Sequence, residues 1–160
     1  MGAIPMGGDS EVPYWVEGRP KPAEQSQMDL ALFYGVSPDY LNIMRIPLLR
    51  GRFLTSQDNE TSPCAVVIDQ EFQRKAFASQ DPLGQRINFD LIGMRCEIVG
   101  IVGDVRHESL DTESGAEYYV PYTQAPEPFM SLVVRSSAGN PASLAAGVRE
   151  VIKQIDKDQY

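Results

Sequence analysis

The sequence is poor in positive charge, in histidine and in cysteine. Its 160 residues include 14 Lys and Arg against 22 Asp and Glu, one histidine and two cysteines, with a formal net charge of −8. Because phosphate backbones demand clustered positive charge, this balance excludes nucleic acid as a partner and disfavours anionic membrane surfaces. Two cysteines and one histidine also fall short of a zinc-binding pattern, so we expect neither a metal site nor a cofactor.

Long hydrophobic runs are scarce as well. Apolar runs such as Ala65–Ile68 and Ile98–Val102 are far too short to cross a bilayer. The N-terminus has neither the basic region nor the apolar stretch of a secretory leader. The remaining composition, 42% hydrophobic and 22% charged, is ordinary for a globular domain, and the length suits one core or two small lobes.

Apolar and aromatic runs bounded by turn residues predict a set of short strands. They are Val12–Val16, Leu30–Val36, Cys64–Ile68, Gln85–Leu91, Arg95–Val102, Glu117–Pro121 and Met130–Arg135. The fourth and fifth flank a turn at Ile92-Gly93 and are expected to form a hairpin. Alternation in the sixth predicts Tyr118 and Val120 on one face of the sheet and Tyr119 on the other.

Capping residues predict three helices. Ser37, followed by Pro38, is expected to begin a short helix that stops before Pro47. Asp69 is expected to cap a second helix, and Asn140 a third with proline at its first position. The second helix should bury Phe72, Ala76 and Phe77. The third carries an apolar stripe, expected to pack on the chain's own sheet, of Leu144, Val148, Val151, Ile152 and Ile155.

These elements indicate an α+β fold, with mostly antiparallel sheets and a few helices on one face. Strands outnumber helices, and no internal repeat or low-complexity tract interrupts them. Such a fold hosts many functions, so function must be argued from sites.

His107 is the only histidine, and it is the candidate for acid–base catalysis. It follows Asp104 by three residues and precedes Glu108, and an Asp–His pair can orient an imidazole as a general base. Catalysis would also need a nucleophile, and neither Cys96 nor Ser109 lies in a nucleophile signature. We therefore expect no catalytic residue, and a loop histidine that is solvated or hydrogen-bonded.

The run Gly100–Asp104 superficially resembles a glycine-rich phosphate loop. It lacks the third glycine and following helix of the dinucleotide fingerprint, and the Gly-Lys-Ser/Thr ending of the nucleotide loop. A structural role fits better: Gly100 permits close backbone approach, Gly103 lets the chain leave the strand, and Asp104 is expected to bond to nearby backbone amides.

The charged side chains and the cysteines are also expected to have structural rather than functional roles. Loop carboxylates do not follow the calcium-loop pattern and are expected to be solvated: Asp58, Glu60, Asp111, Glu113 and Glu117. The tight basic group of Arg45, Arg50 and Arg52 is expected to form a solvated or packing-related turn. Cys64 and Cys96 are expected to be buried small hydrophobes, although an oxidising compartment would permit a disulfide.

Several segments together carry a family resemblance. They are GVSPDYLNIMRIPLLRGRFLTSQD (35–58), CAVVIDQEFQRKAFASQDPLGQRI (64–87), EIVGIVGDVRHESLD (97–111) with YYVPY (118–122), and SLVVRSSAGNPASLAAGVREVIKQID (131–156). Over roughly 11–159 the chain resembles the extracytoplasmic domain of MacB-like and FtsX-like ABC transporter permeases. The likeness is greatest to the orphan, duplicated permeases typical of acidobacteria.

This resemblance implies a two-lobe architecture and a non-catalytic role. A porter-like α/β lobe would comprise 1–48 and 124–160, and an inserted α+β lobe 49–123. The domain would lie on the periplasmic face of the inner membrane, between membrane helices of a longer chain. It would relay the motion driven by a separate cytoplasmic ATPase subunit to a periplasmic adaptor or exported substrate. Macrolide export itself is not implied, because the likeness to the macrolide exporter is weaker.

Two alternatives stay open at this point. One is a small soluble hydrolase that uses His107, and the other is a free-standing periplasmic binding module. The sequence leaves undetermined the transported substrate, the oligomeric state, whether this is the first or second extracytoplasmic domain of a duplicated permease, and the pairing of the two cysteines.

Overall fold

A computed structural model describes residues 11–89, 93–105, 115–126, 130–137 and 140–155. The strands are β1 (Glu11–Val16), β2 (Asp29–Val36), β3 (Leu48–Gly51), β4 (Ala65–Asp69), β5 (Arg86–Phe89), β6 (Met94–Val102) and β7 (Glu117–Pro121). The helices are α1 (Tyr40–Met44), α2 (Gln70–Phe77) and α3 (Ala145–Ile155), with 3-10 turns at Gln25–Gln27 and Pro141–Leu144.

All seven strands join one mixed sheet in the order β3-β6-β4-β7-β2-β1-β5. Pairings β2–β7 and β4–β6 are parallel, and the others are antiparallel. β5 also pairs with the first half of β6, so the strands from β6 round to β5 close into a ring. The expected α+β class with a sheet-rich core and few helices is confirmed.

The two faces of the sheet bury separate apolar clusters. One cluster gathers α2 with alternate residues of the strands, including Phe72, Tyr118 and Val120. The other includes Tyr119 and is covered by α1 and the chain just after it. Because α1 and α2 cover different faces, the expectation of helices on one face is wrong. The predicted alternation of Tyr118 and Val120 against Tyr119 is therefore confirmed, and β7 is buried on both faces.

The sheet draws strands from both of the predicted lobes. β1 and β2 come from the segment 1–48, whereas β4 to β7 come from 49–123, and β2 pairs directly with β7. Such pairing bonds the two segments through backbone hydrogen bonds. The division into lobes stays a prediction.

Helix α1 begins later than predicted. Its N-cap is Asp39 rather than Ser37, and Tyr40 N–H donates to the Ser37 carbonyl at 3.1 Å, so a tight turn precedes the helix. The helix ends at Met44, before Pro47 as predicted, and Arg45 adopts the left-handed conformation that often terminates helices.

The predicted strand at Met130–Arg135 is wrong. These residues have no regular secondary structure, and within the described ranges no backbone ladder reaches them. A strand requires a pairing partner, which an apolar alternating pattern alone does not guarantee.

Asn140 does cap the last helical segment, since its side chain accepts from Ala142 N–H at 3.0 Å. The expectation that the helix packs on the sheet is wrong, because no described α3 side chain is buried. Ile155 is 81% exposed and Val151 is 56% exposed. The amphipathic pattern predicted the helix correctly but not what its apolar stripe contacts.

Candidate functional site

The Gly100–Asp104 run joins distant parts of the fold. A Cβ at Gly100 would lie 2.0 Å from the carbonyl oxygen of Arg52, so only glycine allows the backbones to approach this closely. Asp104 Oδ1 accepts the Glu71 N–H of α2 at 2.8 Å. The close backbone approach expected at Gly100 is confirmed, whereas the expectation that Asp104 binds amides of its own turn is wrong, because Glu71 lies 33 positions away in sequence.

Helix α2 is capped twice. Asp69, the last residue of β4, accepts Phe72 N–H at 2.7 Å, as the sequence predicts for an N-cap. Asp104 serves a second amide of the same first turn. Because α2 holds Phe72 against Tyr14 and Tyr118, these caps fix the orientation of a core helix.

A buried acidic cluster lies beside this cap. Asp69 and Glu117 are both 0% exposed, and Asp69 Oδ1 also accepts Glu117 N–H at 3.0 Å. Tyr119 Oη donates to Glu117 Oε2 at 2.5 Å. Burial is the largest cause that raises the pKa of Asp69 to about 7, and Glu117 and Asp104 raise it further.

Sequence reasoning missed this cluster. Glu117 was expected to be a solvated loop carboxylate, but it begins β7 and is buried, so that expectation is wrong. One sequence feature could have indicated the burial of Glu117. This residue begins an aromatic strand, and the hydroxyl group of Tyr119, two residues later on the same face, can reach its carboxylate. Burial of a carboxyl is tolerated only with such hydrogen bonds.

Two of the three arginines in the basic group form ion pairs with carboxylates of the same domain. Arg52 donates two hydrogen bonds to the carboxylate of Asp58, at 2.7 and 2.8 Å, and Arg50 donates to Asp81 at 2.7 Å. The Arg52 guanidinium lowers the pKa of Asp58, with further help from Thr55. The three arginines are solvent-exposed and lie at the end of α1, in β3 and just after β3, so the expectation that they share one turn is wrong. Asp58 is 7% exposed, so its expected solvation is wrong as well.

Cys64 and Cys96 form a disulfide, with their Cα atoms 4.4 Å apart. This settles the pairing that the sequence leaves undetermined. Cys64 directly precedes β4, and β4 runs parallel to β6 with Ala65 opposite Glu97, so the adjacent residues face each other. The bridge also removes Cys96 as a candidate nucleophile.

The remaining candidates for chemistry contribute no described site. His107, Glu108, Ser109, Asp111 and Glu113 lie outside the described residues. Within the ranges that are described, no three His, Cys, Asp or Glu side chains come together as a metal site. The helix caps, the acidic cluster, the ion pairs and the disulfide described above all stabilise the backbone or the core.

Exposed apolar side chains are the strongest interaction candidates. In the segment 130–137, Met130 and Leu132 are each 67% exposed, and Arg135 Nε donates to the Ile43 carbonyl near the end of α1 at 2.6 Å. The stripe of α3 adds further exposed apolar area, as do Leu48 and Leu49 of β3. None of the helices in the described part of the chain has the length and hydropathy of a membrane span.

Comparison with known proteins identifies the family to which the chain belongs. Residues 9–153 match the family described as MacB-like periplasmic core domain. The chain belongs to this family. It is 32% identical over 74 residues to the macrolide export ATP-binding/permease protein MacB of Aggregatibacter actinomycetemcomitans, a match covering 46% of this chain and 11% of that protein.

Other relatives agree with this assignment. The pyoverdine export ATP-binding/permease protein PvdT of Pseudomonas aeruginosa is 23% identical over 91 residues, which cover 57% of this chain and 13% of that protein. The chain therefore spans only a small part of its curated relatives. The expected MacB-like permease family and its periplasmic location are confirmed.

Solved structures share the fold. The periplasmic region of MacB from Actinobacillus actinomycetemcomitans superposes with a TM-score of 0.65 at 21% identity, over 92% of this chain and 64% of that one. The extracellular domain of the noncanonic ABC-type transporter YknZ from Gram-positive bacteria gives 0.51 at 19% identity, over 71% and 51%. The chain is a periplasmic core domain of the MacB-like permease type.

Proposed function

We propose that this domain is a non-catalytic relay in an ABC transporter permease. It would transmit the motion of membrane helices in its own full-length chain to a periplasmic adaptor or to the exported substrate. A separate cytoplasmic ATPase subunit would drive that motion. The observation that carries the proposal is membership of the periplasmic core family, whose relatives are named export permeases.

Stiffness supports a relay. A body that transmits force must move as a unit on hinges rather than deform internally. Here the strands close into a ring, a disulfide ties β4 to β6, and two aspartates hold α2. The disulfide and both helix caps lie in the segment 49–123, which we propose is the inserted lobe, whereas the ring also includes β1 and β2 from the segment 1–48.

Exposed apolar side chains suggest which part of the domain contacts the rest of the permease. In the segment 130–137, Leu132 is 67% exposed and Val134 is 47% exposed, and Val151 on α3 is 56% exposed. Contiguous apolar patches on a protein surface commonly mark contacts with other proteins or with a membrane. We propose that the segment 124–160, assigned above to the porter-like lobe, makes the contacts of the assembled permease.

The test measures movement in the full-length permease with its ATPase. One spin label is placed at Gln57, an exposed residue, and a second on a membrane helix of the same chain. ATP should change that distance by several ångström. A control pair at Gln57 and Gln80, both on the domain surface, should keep its distance, because the domain moves as a rigid body.

Two results would overturn the relay. The distance from domain to membrane helix could stay constant during ATP hydrolysis, or the control pair could change as much as the test pair. Hydrolase activity abolished by His107→Ala would favour the enzyme alternative instead. The three outcomes can be distinguished, because the first two are distances between spin labels and the third is a rate of hydrolysis.

A further inference from the structure

The junction of β4, β7 and α2 holds two fully buried carboxyl groups. Asp69 ends β4 and caps α2, while Glu117 begins β7, and both are 0% exposed. Asp69 Oδ1 bridges the other two elements because it accepts N–H groups from both Phe72 and Glu117. One carboxyl oxygen therefore links a strand, a helix and a second strand.

The other oxygen of the same carboxyl has no such support. Asp69 Oδ2 is buried and has no hydrogen-bond partner among the described residues. A carboxylate oxygen that is ionised, desolvated and unpaired is costly, whereas a neutral hydroxyl in that position costs much less. The geometry thus favours a proton on Oδ2.

The surrounding groups are acidic or weakly acidic on every side. Glu117 and Tyr119 face Asp69 from β7, Asp104 faces it from beyond β6, and Tyr14 faces it from β1. On α2 the Arg74 guanidinium contacts Glu71 and reaches Asp104 at 3.8 Å. Within the described residues no ion pair to Asp69 compensates for its burial.

We propose that this junction is a proton-dependent latch. The proton on Asp69 Oδ2 keeps the latch closed, and its loss places an unsolvated charge beside Glu117 and loosens the hold of β4 and β7 on α2. The amide bonds to Oδ1 favour the ionised form, but burial and the neighbouring carboxylates outweigh them. The latch is independent of the relay, because it concerns one domain's own stability.

The sign of the pH dependence follows from the raised pKa. Folding moves the pKa of Asp69 from 3.8 to about 7, so the folded chain binds this proton more tightly than the unfolded chain. The resulting stability is complete below pH 3.8 and is lost as pH rises through about 7. Between these limits the folding equilibrium constant falls about tenfold per pH unit from this group.

The experiment measures the folding equilibrium constant of the 160-residue chain by urea denaturation from about pH 4 to pH 8. Asp69→Asn mimics the protonated carboxyl and keeps an amide oxygen for the cap. The ratio of wild type to variant should fall about a thousandfold across this range. Asp104→Asn is the comparison variant: it alters the other cap of α2 but leaves the Asp69 carboxyl in place, so most of the wild-type fall should remain. Because the Asp104 charge helps to raise the pKa of Asp69, the upper limit of that fall should move to lower pH.

A second measurement covers the case in which Asp69→Asn fails to fold. Carbon-13 NMR of the wild-type chain follows the side-chain carboxyl of Asp69 through the same pH range. A midpoint near 7 supports the latch, and a midpoint near 4 overturns it. An unchanged ratio of wild type to Asp69→Asn at all pH values would overturn it as well.

Discussion

Breaking the disulfide between Cys64 and Cys96 should cost a large part of the domain's stability. The bridge closes a loop with a sequence separation of 32, which contains β4, α2 and β5. The chain-entropy relation gives about 3.7 kcal/mol at 25 °C for a loop of about 32 residues. Small domains are typically stable by about 5–15 kcal/mol, so reduction removes a substantial share.

Urea denaturation of the oxidised and reduced chain tests this value. At about 2 kcal/mol per molar urea, the unfolding midpoint should fall by about 2 M. Reduction keeps both side chains in place, whereas Cys64→Ala with Cys96→Ala also removes packing at Cys96, which is 0% exposed. The double variant should therefore be slightly less stable than the reduced chain. A loss below about 1 kcal/mol, or free thiols in the unreduced protein, would refute the reasoning.

Two other substitutions probe the core. Gly100→Ala places a Cβ 2.0 Å from a backbone carbonyl oxygen and should cost at least about 1–3 kcal/mol of unfolding free energy, whereas Gly147→Ala, with nothing within 4 Å, should cost none. Equal denaturation midpoints for the two would contradict this. Tyr119→Phe removes the hydrogen bond to Glu117 and should cost about 1–3 kcal/mol, while Tyr122→Phe, 40% exposed, should change little. A Tyr119→Phe midpoint equal to that of wild type would show that this bond adds no stability.

Local patterns predicted much of the fold. The N-cap at Asp69, the cap at Asn140 and the hairpin of β5 with β6 all depend on residues near one another in sequence. The alternation of Tyr118 and Tyr119 is local as well, because successive side chains of a strand point to opposite faces. Such features are specified by the chain within a few residues, so one sequence suffices to find them.

The predictions failed for features that depend on contacts between residues far apart in sequence. The parallel pairing of β4 with β6 brings Cys64 against Cys96, and neither strand alone indicates that register. Burial of Glu117 depends on β7 lying between β4 and β2. The Met130–Arg135 segment has a strand's pattern but no described partner strand. In each case the outcome is decided by tertiary contacts, which local propensity does not encode.

The residues behind the family resemblance explain why it predicts architecture better than chemistry. Gly100 accommodates a neighbouring backbone, Asp104 caps a helix from another part of the chain, and Tyr119 donates a hydrogen bond to a buried carboxylate. Each makes a contact on which the fold depends, and none of these contacts selects a ligand. The exposed apolar side chains of 130–155 lie outside that set of contacts. A permease of this type can therefore keep the scaffold while its contact surfaces diverge, so the cargo named for a relative does not transfer with the fold.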